Sequence, residues 1–316
     1  MLERLAEKGY TVLDGAMGTG LFEKGLVSGD CPEWWNLEHQ DRVTEVHQSF
    51  VDAGSQVILT NTFGGNHHRL KLHQLESRVG EINRAGAELA RKCTGDKALV
   101  AGSMGPTGEI LEPLGSLSRE EAMKAFKEQA AGLAEGGADL LWIETISDLN
   151  ELSAAIEGAA STGLKIAATM SFDTAGRTMM GVTPADFVSF TKNQPVYAYG
   201  ANCGVGPEEL NQTIGEMKNA GGKNLIAKTN CGVPVFEDGA IRYTATVSSM
   251  GHYAVDARNL GANFIGGCCG TSAKHIRKIH QELQGSPYVP RKLEKTPSSE
   301  PAEGQRTSKR KRRVSS

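Results

Sequence analysis

Two periods alternate along most of this chain. Segments such as DRVTEVHQSFVDAG, REEAMKAFKEQAAGLAEGG and TSAKHIRKIHQELQ place apolar residues three and four positions apart, the spacing of an amphipathic helix. Each is joined through a small-residue turn to a short apolar run, as in DAGSQVIL, EGGADLLWI and LGANFIGG. Glycine fits the left-handed cap that ends a helix, and an unbroken apolar run fits a strand buried on both faces. Eight such strands are predicted: TVLDG (11–15), QVILTN (56–61), LVAGS (99–103), LLWIET (140–145), IAATMS (166–171), VYAYGAN (196–202), LIAKTN (225–230) and NFIGGCC (263–269). Eight β/α units of about 30 residues each describe an α/β chain folded as a (β/α)8 TIM barrel. The barrel is expected to occupy residues 1–285 as one domain.

A different pattern follows. Residues 286–316 hold almost no apolar positions and are expected to form a disordered polar and basic tail. Its KRKRR run (309–313) fits a solvated tail better than a nucleic-acid contact. The net charge of −3 gives the chain no bias toward nucleic acid, and no apolar stretch reaches the length of a membrane span. The N-terminal MLERLAEKGY lacks the apolar centre of a signal peptide. The expectation is a cytoplasmic protein acting on small molecules, a monomer or small homo-oligomer, with its six cysteines reduced.

In a barrel, the C-terminal ends of the strands build the active site. Here those ends read Asp14, Asn61, Ser103, Glu144, Ser171, Asn202 with Cys203, Asn230 with Cys231, and Cys268 with Cys269. Glycines around Cys268 and Cys269 permit a bend that turns both thiols toward one point. A third thiolate would complete the three protein ligands of a catalytic zinc site and leave a fourth position open. Two Asn-Cys-Gly sequences compete to supply it. Strand adjacency favours Cys231 over Cys203, and spacing leaves the choice open. Cys31 and Cys93 have no comparable setting.

Zinc held by three thiolates is a weak Lewis acid toward water but binds a further thiol as its thiolate. A free thiol, with a pKa of about 8.5, is otherwise mostly protonated at neutral pH. Such a centre suits attack by a substrate thiolate on an activated methyl group. A structural zinc site in a binding protein with a nucleic-acid-binding tail is the remote alternative. No Cys-x-x-Cys points to redox chemistry.

The stretches DGAMGTG (14–20), ILTNTFGGN (58–66), GSMGPTGE (102–109), WIET (142–145), GANCG (200–204) and GGCCGTS (266–272) together resemble the homocysteine S-methyltransferase family. Within it, HQSFVDAG, HRLKLH, GSMGPTGEILEPLG and SFDTAGRTMMG are most similar to the short bacterial betaine-dependent enzymes. The resemblance implies that Cys203, Cys268 and Cys269 hold Zn2+ and that L-homocysteine sulfur is the fourth ligand. It also implies that Asp14 and Glu144 take the homocysteine ammonium group. The carboxylate would meet backbone N–H groups of Asp14, Gly15, Ala16 and Met17, and Thr60 and Asn202 would line the same floor. Glycine betaine is the implied methyl donor, giving methionine and dimethylglycine. A sulfonium donor such as S-methylmethionine or dimethylsulfoniopropionate, or another betaine, is the alternative. A quaternary ammonium should meet aromatic faces, which points to Trp34, Trp35 and Phe63, with His67, His68 and Arg69 as candidates for its carboxylate. Gly64 and Thr145 stand where animal betaine enzymes carry aromatics.

Overall fold

The computed structural model describes residues 9–237 and 240–293. Its strands are β1 (Thr11–Val12), β2 (Val57–Leu59), β3 (Leu99–Met104), β4 (Leu140–Ile146), β5 (Lys165–Met170), β6 (Val196–Cys203), β7 (Leu225–Thr229), β8 (Pro234–Glu237), β9 (Ala240–Tyr243) and β10 (Ala262–Gly267). Eight of them pair in the order β1-β10-β7-β6-β5-β4-β3-β2, with every neighbour parallel. A parallel bridge between Leu13 and Val57 joins the two edges and closes the barrel. All eight predicted strands are the barrel strands. β8 and β9 were not expected; they form an antiparallel hairpin between β7 and the helix Val247–Leu260. Its sequence signal is an Asp-Gly turn pair (238–239) between two short runs.

Successive strand residues point to opposite faces, and this alternation sorts the core into two clusters. Inward residues such as Leu99, Leu140, Trp142, Ile226 and Phe264 fill the barrel's interior. Outward residues such as Val100, Leu141, Ile143 and Ile265 pack against helical Phe126, Leu133 and Ile276. The helix Arg119–Glu135 starts at a capping box in which Ser118 and Glu121 satisfy each other's backbone. It approaches β3 closely because outward-facing position 102 is glycine: a Cβ there would lie 2.9 Å from Leu133 Cδ1.

The inward register also sets the site. Beyond the apolar layer, the same columns end in Ser103, Glu144, Thr169, Asn202 and Lys228, all buried. They form a polar layer at the C-terminal mouth.

Residues 286–293, assigned to the tail by composition, lie against the body. Arg258 donates to the carbonyls of Leu283, Ser286 and Pro287 at 2.7–3.0 Å. Arg291 N–H donates to Asn259 O at 2.8 Å, and Leu293 packs over Gly215. The packed body therefore runs past the expected boundary at 285, and the KRKRR run lies outside the described residues. Among the described residues no helix is long and apolar enough to cross a membrane.

Candidate active site

The thiols of Cys203, Cys268 and Cys269 lie within 4.8 Å of one another, and no other group of three or more potential metal ligands occurs among the described residues. Cys203 and Cys268 are 2.9 Å apart. Cys203 ends β6 with a left-handed backbone (φ 58°), uncommon outside glycine, which turns its thiol toward β10. The Asn202 side chain holds this corner. Its Oδ1 accepts from Thr145 N–H (2.9 Å) and Thr169 Oγ1 (2.7 Å). Its Nδ2 donates to Thr145 Oγ1 (2.7 Å) and lies 3.6 and 3.9 Å from the sulfurs of Cys203 and Cys268. Thr145 is also left-handed (φ 63°), a costly state for a β-branched residue. The Asn202 clasp is what holds it there.

Asn230 ties the two cysteine-bearing turns together. It donates to Gly204 O (2.8 Å) and accepts from Cys269 N–H (3.1 Å). The competing Cys231 turns away: its backbone N–H donates to Cys269 O, while its buried sulfur faces Ala245 O (3.4 Å) and His275 Nε2 (3.5 Å). Burial pushes that thiol up to about 11. Cys269 goes the other way, lowered to about 3 by hydrogen bonds from Cys203, Cys268 and, from the unforeseen hairpin, Tyr243. The Tyr243 ring fits because residue 270 is glycine at φ 77°; a Cβ there would stand 2.3 Å from the ring. Tyr243→Phe keeps this packing and removes one donor to the thiolate. For the metal-loaded protein the expected result is about tenfold weaker affinity in competition with a chelator, a typical effect of removing a supporting hydrogen bond; an unchanged affinity would show that the hydroxyl is dispensable.

A cavity of about 250 Å³ opens beside the sulfurs, lined among others by Asp14, Glu33, Thr60, Phe63, Glu144 and Lys228. Glu144 accepts from Ser103 Oγ at 2.5 Å, and burial raises its carboxyl to about 7, with Lys228 opposing and Cys268 adding to the rise. Asp14 is not a free anion. Its Oδ1 receives Lys228 Nζ at 2.7 Å and its Oδ2 receives Leu59 N–H at 2.6 Å. Burial pushes Asp14 up against the pull of Lys228, and burial alone would lower Lys228, but Asp14 and Glu144 hold it above its ordinary value. Thr60 Oγ1 accepts from Ser103 N–H (2.9 Å) and meets Thr62 Oγ1 (2.5 Å), so it braces β2 against β3. Gly15, Ala16 and Met17 line the cavity, but Ala16 N–H already donates to Thr271 O at 2.9 Å, which narrows the expected backbone cradle.

The aromatic expectation divides. Phe63 lines the cavity, its ring lying against Gly105. Trp35 is in the core, in contact with His39 and Arg42, and Trp34 stacks on Arg78 at 4.4 Å; neither lines the cavity. Their neighbour Glu33 does. It is buried and accepts from Gly64 N–H at 2.6 Å, and a Cβ at position 64 would lie 2.9 Å from that carboxylate oxygen. Glycine at 64 therefore makes room for Glu33. His67, His68 and Arg69 lie on the short helix His67–Lys71, outside the cavity wall. Glu33, Lys228 and Tyr243 were missed in the sequence. Lys228 had the clearest signal, a lone lysine on the inward register of an apolar strand.

Fold and site thus define a (β/α)8 barrel with a thiol-lined cavity at its catalytic end. The profile of the family described as homocysteine S-methyltransferase matches residues 11–283, and the chain belongs to that family. Methionine synthases of Mycobacterium leprae and Mycobacterium tuberculosis are each 28% identical over 298 residues, covering 88% of this chain. The chain spans about a quarter of their length, 24% and 25%. The metallated form of the homocysteine methyltransferase MmuM from Escherichia coli shares the fold, with TM-score 0.74 and 23% identity over 86% of this chain and 96% of that one.

Proposed function

We propose that this chain transfers a methyl group from glycine betaine to the thiolate of L-homocysteine in a zinc-dependent reaction, giving methionine and dimethylglycine. The observation that carries the reading is the convergence of three cysteine thiols beside a cavity with buried charges of both signs. The donor set fits zinc: three soft ligands on bent, braced turns, with no fourth protein ligand in the group. When bound, zinc would stabilise a substrate thiol as its thiolate.

The chain's own residues do the rest. Cys203, Cys268 and Cys269 hold the centre, Asn202, Asn230 and Tyr243 fix the thiolates, and Glu144 supplies a charge for the substrate ammonium. Glu33 and Phe63 present a carboxylate and a ring face suited to an onium donor. Thiolate and onium charges both diminish during transfer, so a site that excludes water does not lose transition-state stabilisation by doing so. Alignment of sulfur, methyl carbon and leaving atom supplies the remaining advantage.

One observation favours a second reading. The wall carries three carboxylates, Asp14, Glu33 and Glu144, against one lysine. That balance suits a donor of net positive charge, such as S-methylmethionine, better than a zwitterion. Methionine formation by zinc-loaded protein, with betaine, S-methylmethionine and dimethylsulfoniopropionate offered separately, decides between them. Turnover with betaine is expected, turnover only with a sulfonium reassigns the donor, and none with any donor defeats the methyltransferase reading. With the active donor, Phe63→Ala should raise its KM roughly 2- to 5-fold, the loss of one cation–π contact at a partly exposed ring. Trp34→Ala should leave that KM unchanged.

A further inference from the structure

The two residues assigned to the donor side of the cavity come from separate segments. Glu33 stands in the turn Pro32–Trp34 and Phe63 in the loop after β2. The bond from Gly64 N–H to Glu33 Oε1 joins them directly. A second joint is made by Asn36 and Asn61. Asn36 Nδ2 donates to Asn61 O at 2.8 Å, and Asn61 Nδ2 donates back to Asn36 Oδ1 at 3.0 Å. The same Asn61 Nδ2 donates to Pro32 O at 2.7 Å, immediately before Glu33. Asn36 is fully buried and does not line the cavity.

The surroundings are shaped for this joint. Position 86, on the helix Val79–Thr94, is glycine, and a Cβ there would lie 2.7 Å from Asn36 Nδ2. From the same helix Asn83 donates to Gly65 O at 2.7 Å, and from the helix Arg119–Glu135 Gln129 donates to Thr62 O at 2.8 Å. Phe63 O accepts from Gly105 N–H at 2.8 Å. Loop carbonyls are ordinarily left to water, yet those of residues 61, 62, 63 and 65 are all held by protein groups from other elements. The homocysteine side does not depend on this frame. Thr60 is braced by Ser103 N–H, and Glu144 and the three cysteines stand on or just after β4, β6 and β10. We infer that Asn36 is a positioning residue for the methyl donor: its paired bonds with Asn61 set the separation of Glu33 and Phe63, so that both contacts for an onium head are in place before the donor arrives. This inference rests on the proposed donor site at Glu33 and Phe63.

The test separates the two substrates. Asn36→Leu keeps the approximate shape of the side chain and removes its hydrogen bonds. With zinc-loaded protein and the donor that the unsubstituted protein turns over, kcat/KM for that donor should fall on the order of 10- to 100-fold, as expected when a reacting group is displaced by about 1 Å. Homocysteine Kd, read from thiolate-to-cobalt absorption of cobalt-loaded protein, should stay within about twofold, because its contacts lie on other strands. Asn36→Ser, which leaves a small hydroxyl rather than an apolar group facing Asn61, should give the same split if the leucine variant folds poorly. An unchanged donor kcat/KM in either folded variant overturns the inference. So does a loss matched by an equal loss of homocysteine affinity, which would make Asn36 a structural amide only. Absence of turnover with any donor in the unsubstituted protein defeats the methyltransferase reading itself, a result distinct from an unchanged donor kcat/KM.

Discussion

Cys268→Ser protein will lose its zinc on dialysis against a mild chelator and will form no methionine, whereas Cys231→Ser protein will keep both metal and activity. Cys268 lies within reach of both other sulfurs, so its loss leaves two thiolates on separate turns. Structural zinc sites bind with about 10–16 kcal/mol over four ligands. One thiolate is then worth roughly 3 kcal/mol, or about two decades of affinity. The effect on turnover should exceed the effect on affinity, because the same sulfur helps keep the centre electron-rich. Cys231 is the control that separates position from chemistry. It is equally a cysteine after an asparagine at a strand end, but its thiol lies against Ala245 and His275. Zinc stoichiometry and methionine formation, measured side by side on both variants, check the prediction. Stoichiometric zinc in active Cys268→Ser protein would remove the basis of the proposed centre.

The contrast between Cys203 and Cys231 also marks how far the sequence can be read. Glycine caps and apolar runs located every barrel strand, because strand burial and helix termination are local properties. The third thiol was not local. Strand adjacency pointed to Cys231, since β7 does pair with β10. The adjacency is real but the conclusion does not follow, because Cys203 lies level with Thr229 and Gly267. Its left-handed backbone swings the thiol across, while Cys231 comes two residues after Thr229 and its backbone pairs with Cys269. Backbone handedness at a non-glycine residue leaves no mark in composition.

Lys228 was legible in principle, since period two assigns it inward beside Ile226. What no pattern could show is that its partner is Asp14, 214 residues away. Trp34 and Trp35 mark the opposite limit. Aromatic character suggested a donor cage, but packing placed one ring in the core and the other on Arg78, and gave the wall to Glu33 between them and Pro32.

Glu144→Gln should weaken homocysteine on the order of 10- to 100-fold, the usual range for a hydrogen bond to a charged group. It should also erase a pH dependence that the unsubstituted protein shows. The Glu144 carboxyl is buried at the end of β4, and burial, with Cys268 adding and Lys228 opposing, raises it from 4.5 to about 7. The folded protein therefore binds this proton more tightly than the unfolded chain. Stability of the metal-free protein must fall as pH rises from 4.5 toward about 7, where the unfolded chain has released the proton and the folded one still holds it. The full span corresponds to about 3 kcal/mol. Glutamine cannot ionise, so the variant should lack this slope and gain stability relative to the unsubstituted protein toward pH 8. Affinity moves in the opposite sense. The substrate ammonium needs the charged carboxylate, so homocysteine binding to the unsubstituted protein should tighten as rising pH ionises Glu144, and binding to the variant should lack that step. Denaturant unfolding of metal-free protein and cobalt-reported homocysteine titrations, each across pH 5 to 8, measure the two curves. If the variant keeps the same stability slope and the same Kd, Glu144 neither carries the buried proton nor receives the substrate's ammonium. The cost of burying this carboxylate and its proposed value as an anchor for the substrate have one origin, the low-dielectric mouth of the barrel in which it stands.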